Sequence, residues 1–272
     1  MANKLYNILV PVDFTNKNKW AIIKAIELSN SFNCNIHLVY VTWKRMSPFL
    51  RDSNIEASLK KLKQLKVLYK NHLCGEGTLE ISILRGGKQK QLVKYIRQYE
   101  MDLVVTGLSK FNLVQRIISS VSISRLAKKS DIPVLAIRSG GLVCHFKKIV
   151  LPVSGEVPMR QIRLAVLLGR AFKSTVYFVS LRNHTDDKVR GIIDSSLEFV
   201  QSISTIPVQC LLLEGQNLAK STLEFSKKIN ADLIMVNLIK DFRLPGIWNR
   251  LTNKLLSYES KIPVVTVASN QN

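Results

Sequence analysis

Three short apolar motifs occur twice in this chain, in the same order. Residues 8–13 read ILVPVD and residues 149–154 read IVLPVS; residues 102–108 read DLVVTGL and residues 232–238 read DLIMVNL. Residues 132–137 read IPVLAI and residues 262–267 read IPVVTV. An ordered repeat of this kind means one supersecondary arrangement built twice, so the sequence must satisfy one topology in two places. The chain has 272 residues, enough for two domains of ordinary size. The reading is residues 1–140 for the first domain and 146–272 for the second, with a shorter middle in the second copy.

Each copy alternates short apolar runs with helical patterns. In the first copy the strands are expected near 6–12, 35–41, 78–84, 102–107 and 133–138, with near-continuous Val, Ile and Leu content. Such runs suit strands buried on both faces. Helices are expected over Lys17–Phe32, Ile55–Leu73, Gln91–Tyr99 and Ser120–Lys129, from apolar residues at helical spacing. The second copy repeats the scheme with strands near 148–153, 175–181, 207–213, 232–237 and 263–267 and helices near 158–172, 188–203, 217–229 and 248–259. Strands alternating with helices imply parallel sheets with right-handed crossovers.

The order of five elements resembles the universal stress protein family: ILVPVDFT at a strand end, a small-residue helix, DLVVTG, a serine pair opening a helix, and IPVLAI as the last strand. The resemblance covers nearly the whole chain, as a tandem of two domains. It implies an α/β fold of two open parallel five-stranded sheets, each of order 3-2-1-4-5 with two helices on each face. It also implies pairing through the last strands, so the two copies would form a built-in pseudo-two-fold dimer that covers the edge of strand five.

In an open sheet of that order, ligands settle where the strand order reverses, between strands one and four. Asp13 ends strand one and Gly107 ends strand four. The resemblance implies that a residue at Asp13 contacts adenine in ATP-binding members and that the residue at Val41 lends backbone atoms. Gly-x-x-Gly, nine residues and Gly-Ser/Thr then hold phosphates and ribose. Glycines let backbone N–H groups form an anion nest at a helix start, and a hydroxyl adds a donor. Here Gly107 is kept, Lys110 stands at the second glycine, eight residues follow, and Ser119, Ser120 and Val121 close the motif. Anion attraction would run through Lys110, Arg116 and the serine pair. The plainer alternative is that Gly107 ends a strand, Ser119 or Ser120 caps the last helix, and Asp13 caps the first.

The second copy departs further. Ser154 stands for Asp13, Asn237 for Gly107, and Asn249-Arg250 for the serines, so a structural or partner-binding role is expected there. Gly86-Gly87 and Gly215 precede helices at matching places and read as turns.

The formal net charge is +21, from 40 basic and 19 acidic residues, which attracts polyanions without naming one. Lysines crowd the second and third helices, but the crossover rule puts these on opposite sheet faces, which argues against one nucleic-acid track. The four cysteines (Cys34, Cys74, Cys144 and Cys210) and the four histidines (His37, His72, His145 and His184) form no C-x-x-C or H-E-x-x-H, so buried free thiols are expected rather than a metal or disulfide. No signal peptide or membrane span is evident, which points to the cytoplasm and away from a membrane. No catalytic constellation converges, so no enzyme is expected. The leading expectation is a stress-response, ligand-sensing module with ATP or a related adenine nucleotide in the first domain. The rival is a scaffold that dimerises or binds an unknown protein partner, and polyanion binding comes third.

Overall fold

The computed structural model describes residues 4–42, 48–108, 123–138, 145–182, 187–238 and 261–268; of residues 48–54, 187–188 and 238 it describes the backbone only. The chain divides into two compact units, Ala2–Leu142 and Val143–Asn272.

The first unit runs β1 (Asn7–Val12), α1 (Lys17–Phe32), β2 (Asn35–Thr42), α2 (Pro48–Lys70), β3 (Leu79–Arg85), α3 (Lys88–Gln98), β4 (Leu103–Leu108), α4 (Ile123–Ser130) and β5 (Val134–Arg138). Its strands are parallel, in the order β3-β2-β1-β4-β5. The second unit runs β6 (Lys148–Pro152), α5 (Met159–Phe172), β7 (Thr175–Leu181), α6 (Asp187–Ile203), β8 (Val208–Leu213), α7 (Leu218–Lys228), β9 (Leu233–Leu238) and β10 (Val264–Ala268). Its order, β8-β7-β6-β9-β10, is the same topology.

The central strands are buried as their composition requires: Ile8, Leu9, Val10, Val104 and Val105 are all fully enclosed. β3 and β8 differ from that expectation, because each is only partly covered along most of its length. They are the outer strands of their units, with a neighbour on one side. The helix α1 buries Ala21, Ile22, Ala25, Ile26 and Leu28 against the sheet. α2 begins at Pro48 rather than near Ile55, a start at which proline is tolerated because its missing N–H would have had no partner. Its inward stripe is narrower than the leucine spacing suggests: Leu62 and Tyr69 are buried, whereas Leu59 and Leu68 face solvent. The helix expected at 248–259 lies outside the described residues.

The aspartate of each DL motif has the same job in both units. Asp102 Oδ2 accepts from the Tyr6 and Asn7 N–H groups at 2.7 and 2.9 Å, tying the start of β1 to β4. Asp232 Oδ2 accepts from the Lys148 N–H at 2.9 Å, tying β6 to β9. Of the cysteines described, Cys34 is buried but Cys74 and Cys210 are exposed, which corrects the expectation that all would be buried. Among the described residues no helix is long and apolar enough to cross a membrane.

Candidate functional site

β1 and β4 touch only near their beginnings. They pair at Ile8↔Leu103 and Leu9↔Val104, while β1 stays paired with β2 up to Val12↔Tyr40. Proline has no N–H to give a ladder, so Pro11 weakens pairing just where the strands part. Its carbonyl is taken instead by Asn18 Nδ2 at 3.2 Å, from the first turn of α1. The strands therefore open into a crevice at their carboxyl ends, at the point where strand order reverses. The second unit parts in the same way, with β6–β9 pairing limited to Ile149↔Leu233 and Val150↔Ile234 and Pro152 ending β6.

Asp13 leaves β1 directly into this crevice. Its Oδ1 accepts from the Thr15 hydroxyl at 2.6 Å and the Thr15 N–H at 3.2 Å, closing an Asx turn. Its Oδ2 lies 2.5 Å from Lys17 Nζ. The side chains of Asp13 and Lys17 are only 14 % and 16 % exposed. Burial opposes ionisation, but the hydrogen bonds from Lys17 and Thr15 and the charges of Lys17 and Lys88 outweigh it, so the carboxyl is held below its ordinary pKa. Lys88, at the start of α3, is itself pushed down by burial and by Lys17, with Asp13 acting the other way. The result is one ionised carboxylate with two lysines at the mouth of the crevice.

Asp13 does not cap α1. Asn16 holds the N-cap position without a side-chain bond. Asn18, which is buried, does the local work: its Oδ1 accepts from the Asp13 N–H at 3.0 Å and the Thr15 N–H at 3.2 Å. Sequence reasoning missed Asn18 and Lys17, although the i,i+4 spacing of Asp13 and Lys17 was a readable signal. It also missed Phe14, which sits at φ 58° in the left-handed region, an outlier for a bulky residue. The Phe14 ring packs on Tyr40 with centroids 4.8 Å apart, and Lys61 Nζ lies 5.5 Å from its centre. An aromatic pair thus stands beside Asp13 at the end of β2, one residue before Val41.

Val41 is buried and pairs with Leu84 of β3. The β1–β2 register stops one residue short of it, so the β1-facing edge of Val41 lies past the ladder. Gly107 is required by packing. A Cβ there would lie 2.0 Å from the Lys17 carbonyl oxygen and 2.6 Å from its carbon. The missing side chain lets the first turn of α1 press on the end of β4. Asp13, Val41 and Gly107 are therefore brought to one end of the sheet, whereas Lys110, Ser119, Ser120 and Val121 lie outside the described residues.

The second crevice is chemically different. Ser154 bridges to Glu156 in a tight turn through Gly155 at φ 83°. Glu156 Oε1 then accepts from Asn237 Nδ2 at 3.5 Å, so the unit's own side chains reach across the gap. No asparagine stands where Asn18 would be; Pro158 and Met159 lead into α5 there.

Comparison with known proteins places this architecture. Residues 5–138 match the model of the Universal stress protein family. A universal stress protein of Methanocaldococcus jannaschii is 23 % identical over 149 residues, which covers 50 % of this chain and 84 % of that protein. The crystal structure of a universal stress protein from Archaeoglobus fulgidus is similar over 98 % of both chains, with a TM-score of 0.79 at 12 % identity. A functionally unknown protein from Pseudomonas aeruginosa is similar over 98 % of this chain and 93 % of its own, with a TM-score of 0.64 at 11 % identity. The first unit therefore belongs to the universal stress protein family, and the second unit builds the same topology again.

Proposed function

We propose that this stress-response protein is a non-enzymatic sensor that takes an adenine nucleotide, ATP or a close relative, in the crevice of its first unit. The observation that carries this reading is Asp13: ionised, mostly buried, and set where β1 and β4 part. A carboxylate in that state only accepts hydrogen bonds, which suits the exocyclic amine of adenine. The β1-facing edge of Val41 offers backbone atoms to the same base, and the Phe14–Tyr40 pair gives it an apolar flank. Lys17 and Lys88 bring positive charge for the phosphates. Lys110, Ser119, Ser120 and Val121 would complete the phosphate end. Gly107 does not enter this argument, because the approach of α1 already accounts for it.

The second reading is a scaffold that works through dimerisation or a protein partner. It is favoured by the Lys17–Asp13 ion pair, which already neutralises the carboxylate from within the fold. A melting scan separates the two. ATP, with or without magnesium, is expected to raise the melting temperature where GTP does not, because a ligand that binds only the folded state stabilises it. An unchanged melting temperature, together with no nucleotide absorbance at 260 nm in the purified protein, would establish the scaffold instead.

A further inference from the structure

α3 and α4 lie against the same face of the first sheet, as successive right-handed crossovers require. Between them runs a groove of about 740 Å³. Six cationic side chains line it: Lys88, Lys90 and Arg97 from α3, and Arg125, Lys128 and Lys129 from α4. No carboxylate is among its described lining residues. Arg97 Nη2 donates to the Lys129 carbonyl at 3.0 Å and pins the end of α4 to α3. Of the lysines of α2, by contrast, Lys66 meets a carboxylate, Glu80, at 3.3 Å.

Two further details make this more than a patch of charge. Gly87 holds the N-cap of α3 in extended backbone with no side-chain cap, and the first turn carries no acidic residue. The positive end of the helix therefore lies beside the groove, which Gly87 and Lys88 help to line. A Cβ at Gly87 would meet nothing within 4 Å, and its φ of −69° suits any residue, so neither packing nor conformation calls for glycine there. Beside it, Gln89 Nε2 is shielded from solvent and has no hydrogen-bond partner among the described residues. A buried donor of this kind is costly unless an acceptor reaches it.

We propose that this groove binds a compact anion carrying several phosphate groups. Its volume falls in the range of small-molecule sites, roughly 300–1,000 Å³. Among its described lining residues six are cationic and none is aromatic, a composition that suits a phosphate-rich ligand better than the stacked bases of single-stranded nucleic acid. Such a ligand is a free oligophosphate or a polyphosphorylated headgroup. The groove runs between α3 and α4 and meets the adenine crevice at Lys88; its other five cationic residues have no part in that crevice.

The test is a calorimetric titration of the full-length protein with inorganic tripolyphosphate, which has no base for Asp13 to recognise. Binding is expected that weakens with added salt. Lys90→Glu/Lys128→Glu reverses two exposed charges and is expected to weaken it at least about tenfold. Gly87→Ala places a methyl over the helix start without a clash and is expected to weaken it with no change in melting temperature. Asp13→Ala is expected to leave tripolyphosphate binding in place, so loss of the adenine reading would not touch this one. Vesicles containing phosphatidylinositol bisphosphate form the second arm: pelleting of the protein that tripolyphosphate competes away assigns the same groove to a headgroup. Absence of binding in both arms, equal binding by the wild type and the double variant, or tighter binding of an oligonucleotide through the same lysines would overturn the proposal.

Discussion

Gly107→Ala separates two explanations of the same glycine. If Gly107 serves a phosphate, an added methyl should cost ligand and leave the fold alone. The geometry argues otherwise. The new Cβ would sit 2.0 Å from the Lys17 carbonyl oxygen, where a carbon and an oxygen ordinarily come no nearer than about 3.3 Å. The obstacle is helix backbone, so no side-chain rotation relieves it. The first turn of α1 must retreat by roughly an ångström, against a core that is already close-packed. Overpacking typically costs about 1–3 kcal/mol, and a backbone obstacle places this variant near 3 kcal/mol. For a unit of this size that lowers the melting temperature by about 10 °C. Urea titration followed by far-ultraviolet circular dichroism measures it, with Gly87→Ala as the control because its Cβ meets open space. A Gly107→Ala variant as stable as that control would refute the packing explanation and return Gly107 to the ligand.

Asn18→Ala removes the amide that serves the Pro11 carbonyl and the Asp13 and Thr15 N–H groups, and is expected to cost roughly 2–3 kcal/mol in urea titration, since the orphaned groups are partly or wholly buried. His37 has its pKa depressed by burial, with Glu80 acting the other way. The folded protein thus binds that proton less readily than the unfolded chain. The stability His37 contributes is present above about pH 6.5 and lost as the pH falls through the folded value. His37→Phe, which leaves the 3.0 Å Ser82–Tyr95 hydroxyl contact in place, should show a flatter melting temperature over that window. The Cys34 thiol is pushed up to about 12 by burial and the nearby Asp102 charge. Iodoacetamide should therefore modify Cys74 and Cys210 in the native protein well before Cys34, as peptide mapping would show.

The fold was legible because its signals are local and doubled. Each buried strand announces itself as a Val/Ile/Leu run, and the repeat of DLVVTG as DLIMVN shows that the same strand is made twice. α1 was read to the residue, because its apolar spacing is dense from Trp20 onward. α2 and α3 begin earlier than expected, at Pro48 and Lys88, because the polar run Arg51–Asn54 interrupts the apolar pattern of α2 and α3 opens on Lys-Gln-Lys-Gln. In the crevice, topology brings Asp13, Val41 and Gly107 together, so their shared location followed from strand order. The work each residue does was less visible. No sequence signal reports that the α1 backbone fills the space over Gly107, or that Phe14 takes a left-handed conformation against Tyr40. The basic groove was missed for a related reason. Lys90 and Lys128 belong to helices separated by a whole strand, and only packing puts them in one place.

The nucleotide reading rests most directly on the carboxylate of Asp13. Titration calorimetry with ATP, run side by side on the wild-type protein and Asp13→Ala, measures that dependence. The expected result is heat of binding for the wild type that is reduced at least about tenfold in affinity by the substitution, since a hydrogen bond to a charged group is worth about 1.5–3 kcal/mol. Equal affinity of the two proteins, or no binding by the wild type, would contradict it.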